Sequence, residues 1–432
     1  MRSTDFVNQA TPAEVTRIQG DPLAADMCRV GPLRIVLVAP PYFDVPPTGY
    51  GGVEAVVADL ADALVARGHQ VTLLGAGRAG TAARFMPLWD RTLPDRLGQP
   101  YPEVMNALKV RRAVACIAAA DGIDIVHDHT FAGPLNAPAY RGLGITTVVT
   151  VHGPIDDDLY PYYRELGDEV GLIAISDRQR ELAPDLNWVG RVHNALRVQD
   201  WPFRADKQDY ALFLGRFAPY KGAHLAVPAA HEAGLPLVLA GKCDEPAEKA
   251  YFEQEVRPLL TDSDHFFGPA DAVSKRKLLA GARCLLFPVL WEEPFGMVMI
   301  EAMACGTPVV ALRGGAVPEV VIDGMTGLIR DRPAELPAAI ERAASLDPAA
   351  CRRHVAANFG VAQFGSDTSR SISNWRRRGF VLPPTLTAAR RCRAHTCAGE
   401  SWQPSSRTDL RRSSAGSPAH AARRSGRACG RW

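Results

Sequence analysis

Two glutamates, Glu293 and Glu301, stand in the stretch Trp291-Glu-Glu-Pro-Phe-Gly-Met-Val-Met-Ile-Glu-Ala-Met-Ala-Cys-Gly-Thr-Pro-Val-Val310. The spacing reads as loop, helix, turn and buried strand. Pro294 suits the mouth of a helix, where a missing N–H costs nothing. Gly306 suits a left-handed cap, and Pro308 forbids continuation. Both carboxylates then crowd the N-terminal end of that helix, where free N–H groups and the dipole attract anions. Carboxylates beside a phosphate-binding helix mouth can accept hydrogen bonds from hydroxyls, which suits a phosphorylated sugar. A lone Glu near a helix start ordinarily compensates the dipole, and Glu301 by itself reads that way. Glu293, Phe295, Gly296 and Glu301 together with the Gly-Thr-Pro-Val-Val exit favour a site.

Cations fall where such a ligand needs them. Gly215-Arg216-Phe-Ala-Pro-Tyr-Lys221-Gly222 follows the apolar run Tyr210-Ala-Leu-Phe-Leu214. Arg216 brings a planar fork of donors and Lys221 a point charge, a good diphosphate clamp at a strand end. Lys242, after the strand Leu237–Ala240, faces donor or solvent. Three histidines close two further strands, in His127-Asp-His129 and His152-Gly153. Open parallel sheets bind ligands at the carboxyl ends of their strands, so His129 and His152 can meet a hydroxyl or a phosphate oxygen. His-x-His also suits a metal, but no third ligand is evident. A histidine satisfied by loop backbone is the bland reading of either.

The elements that must position these groups form two similar series. Leu33-Arg-Ile-Val-Leu-Val-Ala39 reads as a buried strand, and the loop after it ends in Gly51-Gly52. Val53, Val56, Val57, Leu60, Leu64 and Val65 then share one helical face, and Gln70–Leu74 is the next strand. Gly51 and Gly52 let backbone N–H groups approach a phosphate, or merely serve a loop that needs positive φ. Strands follow at Ile123–His127, Thr146–Val151 and Leu172–Ile175, and Ser176 is a natural N-cap. The second series runs through Tyr210–Leu214, Leu237–Ala240, His265–Gly268 and Cys284–Phe287. Both series are doubly wound α/β units.

The long central stretch resembles the E-x7-E signature of the retaining family 4 glycosyltransferases, which have the GT-B fold. The resemblance covers roughly Leu33 to Phe364, with Gly-Gly at the first loop, "GR(x4)KG" at Gly215 to Gly222, and His193-Asn-Ala195 in place of "HNG". It implies two Rossmann-like domains facing a central cleft: an acceptor-side domain over 31–196 and a nucleotide-sugar domain over 197–364. It implies a metal-independent hexosyltransferase with no cofactor, whose co-substrate is a UDP-, GDP- or ADP-sugar and whose acceptor is a glycan or small molecule. On this resemblance Glu293 positions the sugar and Glu301 holds the ribose. Gly51, Gly52, Arg216, Lys221, Phe295 and Gly296 hold the donor, and His129 acts in catalysis while His127 points into the packing. The acceptor attacks from the front face, helped by the donor phosphate. His265–Pro269 corresponds to the base-holding loop, and Glu319 is structural.

Composition sets the outer bounds. The chain has 432 residues, 47% hydrophobic and 22% charged, with a formal net charge of +2. That balance predicts no strong pull toward nucleic acid or membrane, and no apolar run reaches the ~20 residues of a spanning helix. Nine cysteines show no C-x-x-C pair, which fits a reducing cytoplasm. Residues 1–30 read as a disordered leader, with Met27 an alternative start to Met1. From 365 to 432 Arg, Ser, Ala, Pro and Cys dominate without an apolar period. This stretch is expected to be disordered, or translated from a shifted frame, and to lack the helix with which the family braces its first domain. Two rival readings stay open: a phosphorylase-like enzyme of the same fold, and a chain that binds nucleotide but is catalytically defective because of this ending.

Overall fold

The computed structural model describes residues 31–156 and 158–379. Two all-parallel sheets carry the molecule. The first has seven strands in the order β3-β2-β1-β4-β5-β6-β7. These are β1 (Arg34–Val38), β2 (Gln70–Ala76), β3 (Arg84–Trp89), β4 (Ile125–Asp128), β5 (Thr146–Val151), β6 (Val170–Ala174) and β7 (Trp188–Arg191). The second has six, in the order β10-β9-β8-β11-β12-β13. They are β8 (Ala211–Leu214), β9 (Leu237–Ala240), β10 (His265–Gly268), β11 (Cys284–Phe287), β12 (Val309–Leu312) and β13 (Gly327–Arg330).

Burial follows from this order. Central strands such as β1, β4, β6, β11 and β12 are almost wholly buried, as parallel strands covered on both faces must be. The edge strands β3 and β7 are only partly buried. Neither edge strand is apparent from the sequence pattern, and nor is the long helix Pro100–Ala120. In each sheet the strand order reverses beside the first strand, between β1 and β4 and between β8 and β11. Those crevices are where open α/β sheets receive ligands.

The chain crosses between the domains twice, side by side. Leu196 N–H donates to the Phe359 carbonyl at 3.0 Å where the outgoing and returning segments pair. Arg352 ties the crossing down by donating to the carbonyls of Val198, Trp201 and Ala304. The domains also touch through Glu319. Its carboxylate accepts the N–H groups of Asp177 and Arg178 at 2.7 and 2.8 Å and meets His193 at 2.9 Å. The structural role expected of Glu319 is therefore that of an interdomain bridge.

One expectation is corrected here. The sequence after 365 is not irregular at its start: Val361–Gly379 is a helix that returns to the first domain and packs on the helix Gly52–Ala66 and on β7. Residues Phe364, Gly365, Thr368, Ser369, Ile372 and Ser373 are buried at helical spacing. Most are small or polar, so the face carries no apolar stripe to read. Small residues suit it because the helix lies close to its neighbours: a Cβ on Gly365 would come within 2.9 Å of Ala63 in the helix Gly52–Ala66, and one on Gly171 of β6 within 2.8 Å of the Trp375 indole. Trp375 Nε1 donates to the Thr147 carbonyl at 3.0 Å, and Ser369 meets His69 at 3.0 Å. The bracing helix said to be missing is thus present. The expectations for residues 1–30 and 380–432 lie outside the described residues.

Candidate active site

The two crevices face each other across a cavity of about 1120 Å³. From the first domain come Phe43, Tyr50, Gly51, Gly52 and the turn around Pro94–Leu97. From the second come Gly215 and Arg216 after β8, Lys242 after β9, Lys275, and Glu293, Gly296 and Glu301 after β11. Two helices begin at the cavity. Gly51 caps the helix Gly52–Ala66, and Gly296 caps Met297–Ala304 with φ 80°. Their first N–H groups have no partner within the helix, so two positive helix ends flank one space. A Cβ on Gly52 would meet nothing within 4 Å, so the wall stays open there.

The charges of the wall come as pairs. Lys221 Nζ donates to Glu293 Oε2 at 2.5 Å, and Lys275 Nζ to Glu301 Oε1 at 2.8 Å. Arg216 donates through Nε to Glu248 at 2.8 Å and through Nη2 to Glu245 at 3.2 Å. Lys242 also reaches Glu245, at 2.7 Å. Glu248 is buried, and its other oxygen accepts the N–H groups of Asp244 and Glu245. The guanidinium is thereby held from behind, in a fixed plane. Glu293 and Glu301 are each only 8% exposed. A carboxylate so buried is tolerable only when paired, and the lysines supply that pairing. The loop Gly314–Gly315 fixes the backbone of Glu293. Ala316 N–H donates to the Glu293 carbonyl at 2.9 Å, and Gly315, at φ 50°, lies where any Cβ would collide with that oxygen.

The structure brings together Gly51, Gly52, Arg216, Lys221, Glu293, Gly296 and Glu301, all on the cavity wall. Phe295 is corrected: it does not line the cavity but is 2% exposed, packed against His193 and Phe359 at the interdomain crossing. An apolar ring between two helix-mouth residues is better sheltered there than facing phosphate. His129 is at the C-terminal end of β4 but is not part of the cavity wall. It is buried, with Nδ1 2.8 Å from His152 Nε2 and its ring 4.3 Å from that of His127. Burial lowers all three imidazole pKa values, His127 to about 3 and His152 to about 4, so the cluster is neutral at pH 7. His127 meets Thr150 at 2.8 Å inside the packing, as expected of it. His129 Nε2 is buried without a hydrogen-bond partner.

Sequence reasoning missed Lys275, Glu245 and Glu248. Lys275 lies in the helix Ala272–Gly281 within the run Lys275-Arg-Lys277, which reads as an ordinary solvated charged face, so nothing local marks it. Glu245-Pro-Ala-Glu248 does carry a signal, the capping-box spacing at the start of Pro246–Tyr251. Glu54, in the first turn of Gly52–Ala66, was also passed over. Burial pushes its carboxyl up to about 8, against hydrogen bonds from its own N–H and that of Phe43.

The fold is one of two parallel sheets with a charged cleft between their switch points, and comparison with known proteins specifies its class. Residues 50–193 match the model of Glycosyltransferase Family 4, and residues 199–357 that of Glycosyl transferases group 1. The alpha-maltose-1-phosphate synthase of Mycobacterium tuberculosis is 30% identical over 344 residues, covering 68% of this chain and 84% of that protein. The crystal structure of AviGT4, a glycosyltransferase involved in avilamycin A biosynthesis, superposes with a TM-score of 0.61 at 26% identity, covering 81% and 99% of the two chains. Anabaena Alr3699/HepE in complex with UDP and glucose shares the fold at 18% identity, with a TM-score of 0.62 over 79% and 99%. The chain belongs to the group 1, family 4 glycosyltransferases and has their GT-B fold. It is an enzyme, a glycosyltransferase of the hexosyltransferase type. Among the described residues no helix is long and apolar enough to cross a membrane.

Proposed function

We propose that this enzyme moves a hexosyl group from a nucleoside-diphosphate sugar to an acceptor hydroxyl, with retention and without a metal ion. The observation that carries this reading is the wall on which Lys221–Glu293 and Lys275–Glu301 flank the N-terminus of Met297–Ala304. A leaving diphosphate gathers charge as the glycosidic bond breaks, and fixed cations with free N–H groups stabilise it without reorganising. Arg216, Lys221 and the helix mouth supply these. Glu293 then faces the sugar ring and Glu301 the ribose hydroxyls. The donor phosphate takes the acceptor's proton on the front face. The binding of UDP and glucose by HepE supports a nucleotide donor in a cleft of this shape.

Exchange of each glutamate for glutamine tests the assignment. Glu293→Gln should lower turnover more than nucleotide affinity, and Glu301→Gln should do the reverse. Charge-assisted hydrogen bonds contribute about 1.5–3 kcal/mol, so each loss should be on the order of ten- to a hundredfold. Titration with UDP, GDP and ADP after a thermal-shift screen of their sugars finds the base, because a ligand bound to the native state alone raises Tm. Wild-type binding and transfer by both variants would sink the assignment.

His129 enters this proposal through its orphaned Nε2, since a buried polar atom without a partner asks for a ligand or water. His129→Ala should keep fold and nucleotide binding but lose most transfer. A fully active variant would return the ring to packing with His127 and His152.

A further inference from the structure

We propose that Trp291 is a positioning residue for the donor wall, setting the carboxylate of Glu293 with its indole N–H and the ammonium of Lys221 with its ring face. This rests on the reading of Glu293 as sugar-facing and Lys221 as diphosphate-facing. Trp291 Nε1 donates to Glu293 Oε2 at 2.8 Å, the same oxygen that Lys221 Nζ reaches at 2.5 Å. That ammonium lies 4.8 Å from the centroid of the Trp291 ring and 5.8 Å from that of Tyr220. The two rings pack at 5.0 Å, and Leu290 N–H holds the Tyr220 carbonyl at 2.8 Å. Trp291 itself is half-buried and not part of the cavity wall.

The need for such a residue follows from the chemistry of lysine. An ammonium on a four-carbon stem is a point charge with rotatable donors, and alone it fixes neither its own place nor the plane of a carboxylate. An indole N–H is a single donor in the plane of a rigid ring. With both donors on Oε2, the carboxylate has one orientation, and among the described residues no donor is hydrogen-bonded to Oε1. That leaves Oε1 for a sugar hydroxyl. The negative ring face holds the ammonium beside the carboxylate. When Lys221 turns toward an incoming diphosphate, the indole N–H still keeps Oε2 in place.

Two variants of the full chain separate these roles. Trp291→Phe keeps a ring face and loses the N–H; Trp291→Leu loses both. With a donor identified by the screen, Trp291→Phe should lower kcat about tenfold while leaving the Kd for the nucleoside diphosphate within about twofold of wild type. Trp291→Leu should lose kcat similarly and also weaken that Kd by about fivefold, because the cation has lost its face. As a check that leaves the tryptophan in place, Glu293→Gln should displace the Trp291 indole N–H resonance. A Trp291→Phe enzyme with wild-type kcat, losses in kcat and Kd that simply follow Tm in both variants, or an unmoved resonance would overturn the proposal. Failure of the wild type to bind any nucleoside diphosphate would overturn the reading of the wall itself, and the role of Trp291 with it.

Discussion

Lys221→Ala is expected to abolish measurable transfer and to weaken nucleoside-diphosphate binding by one to two orders of magnitude. Two losses combine. The first is the cation assigned to the diphosphate, a charge-assisted contact of about 1.5–3 kcal/mol. The second is internal to the protein. Glu293 is 8% exposed, and Lys221 is its only cationic partner among the described residues. Removing one member of a buried pair strands the other, at about 3–5 kcal/mol. Without Lys221 the carboxylate of Glu293 loses the place that pairing gives it, which spoils its approach to the sugar. Arg216→Ala should weaken binding comparably but spare Glu293, because its own partners are Glu245 and Glu248. A double substitution, Lys221→Met with Glu293→Gln, should recover stability lost in Lys221→Met without recovering transfer. Calorimetric titration and denaturation of the four proteins decide the matter. Unchanged nucleotide affinity in both Arg216→Ala and Lys221→Ala would dismiss the clamp.

These pairings also show where sequence reading reaches its limit. The positions of Glu293, Arg216, Lys221 and Gly51 were legible because each follows an apolar run that can only be a buried parallel strand, and strand ends point at the cleft. The partner of each charge was not legible. Glu293 finds Lys221 across 72 positions, and Arg216 finds Glu248 across 32, through loops whose paths no periodicity records. Phe295 was misplaced for a related reason. A motif marks a residue without saying which way its side chain turns. A ring beside Gly296 can face the ligand or the interdomain crossing, and packing against His193 and Phe359 decides it. His129 was located on its strand end, but its burial beside His127 and His152 comes from the neighbouring ends of β4 and β5, which only the assembled sheet brings together.

The returning helix Val361–Gly379 was hidden because its buried face is built for close approach rather than for apolar area, and this gives the second large expected effect. Ile372 is fully buried in the core of the first domain, among residues that include Val57, Leu60 and Val192. Trp375 stacks over Gly171 and donates to Thr147. Arg376 joins Arg34 on Asp124, at 2.8 Å, beyond the opposite end of the sheet from the cavity. Truncating a buried isoleucine costs about 2–5 kcal/mol and a tryptophan about 3–5 kcal/mol, because the rigid surroundings only partly close the void. Those are large fractions of the total stability of a domain. Ile372→Ala and Trp375→Ala should each lower the unfolding midpoint of the first domain, and the pair together should leave it largely unfolded at 37 °C. The single variants, while folded, should keep their nucleotide affinity, since neither residue touches the cavity wall. Gly171→Val should reproduce the Trp375 effect from the other side, by driving a side chain into the space the indole occupies. Denaturation followed by circular dichroism, with nucleotide titration of the same samples, measures both halves. Wild-type midpoints in all four variants would show that the first domain stands without this helix.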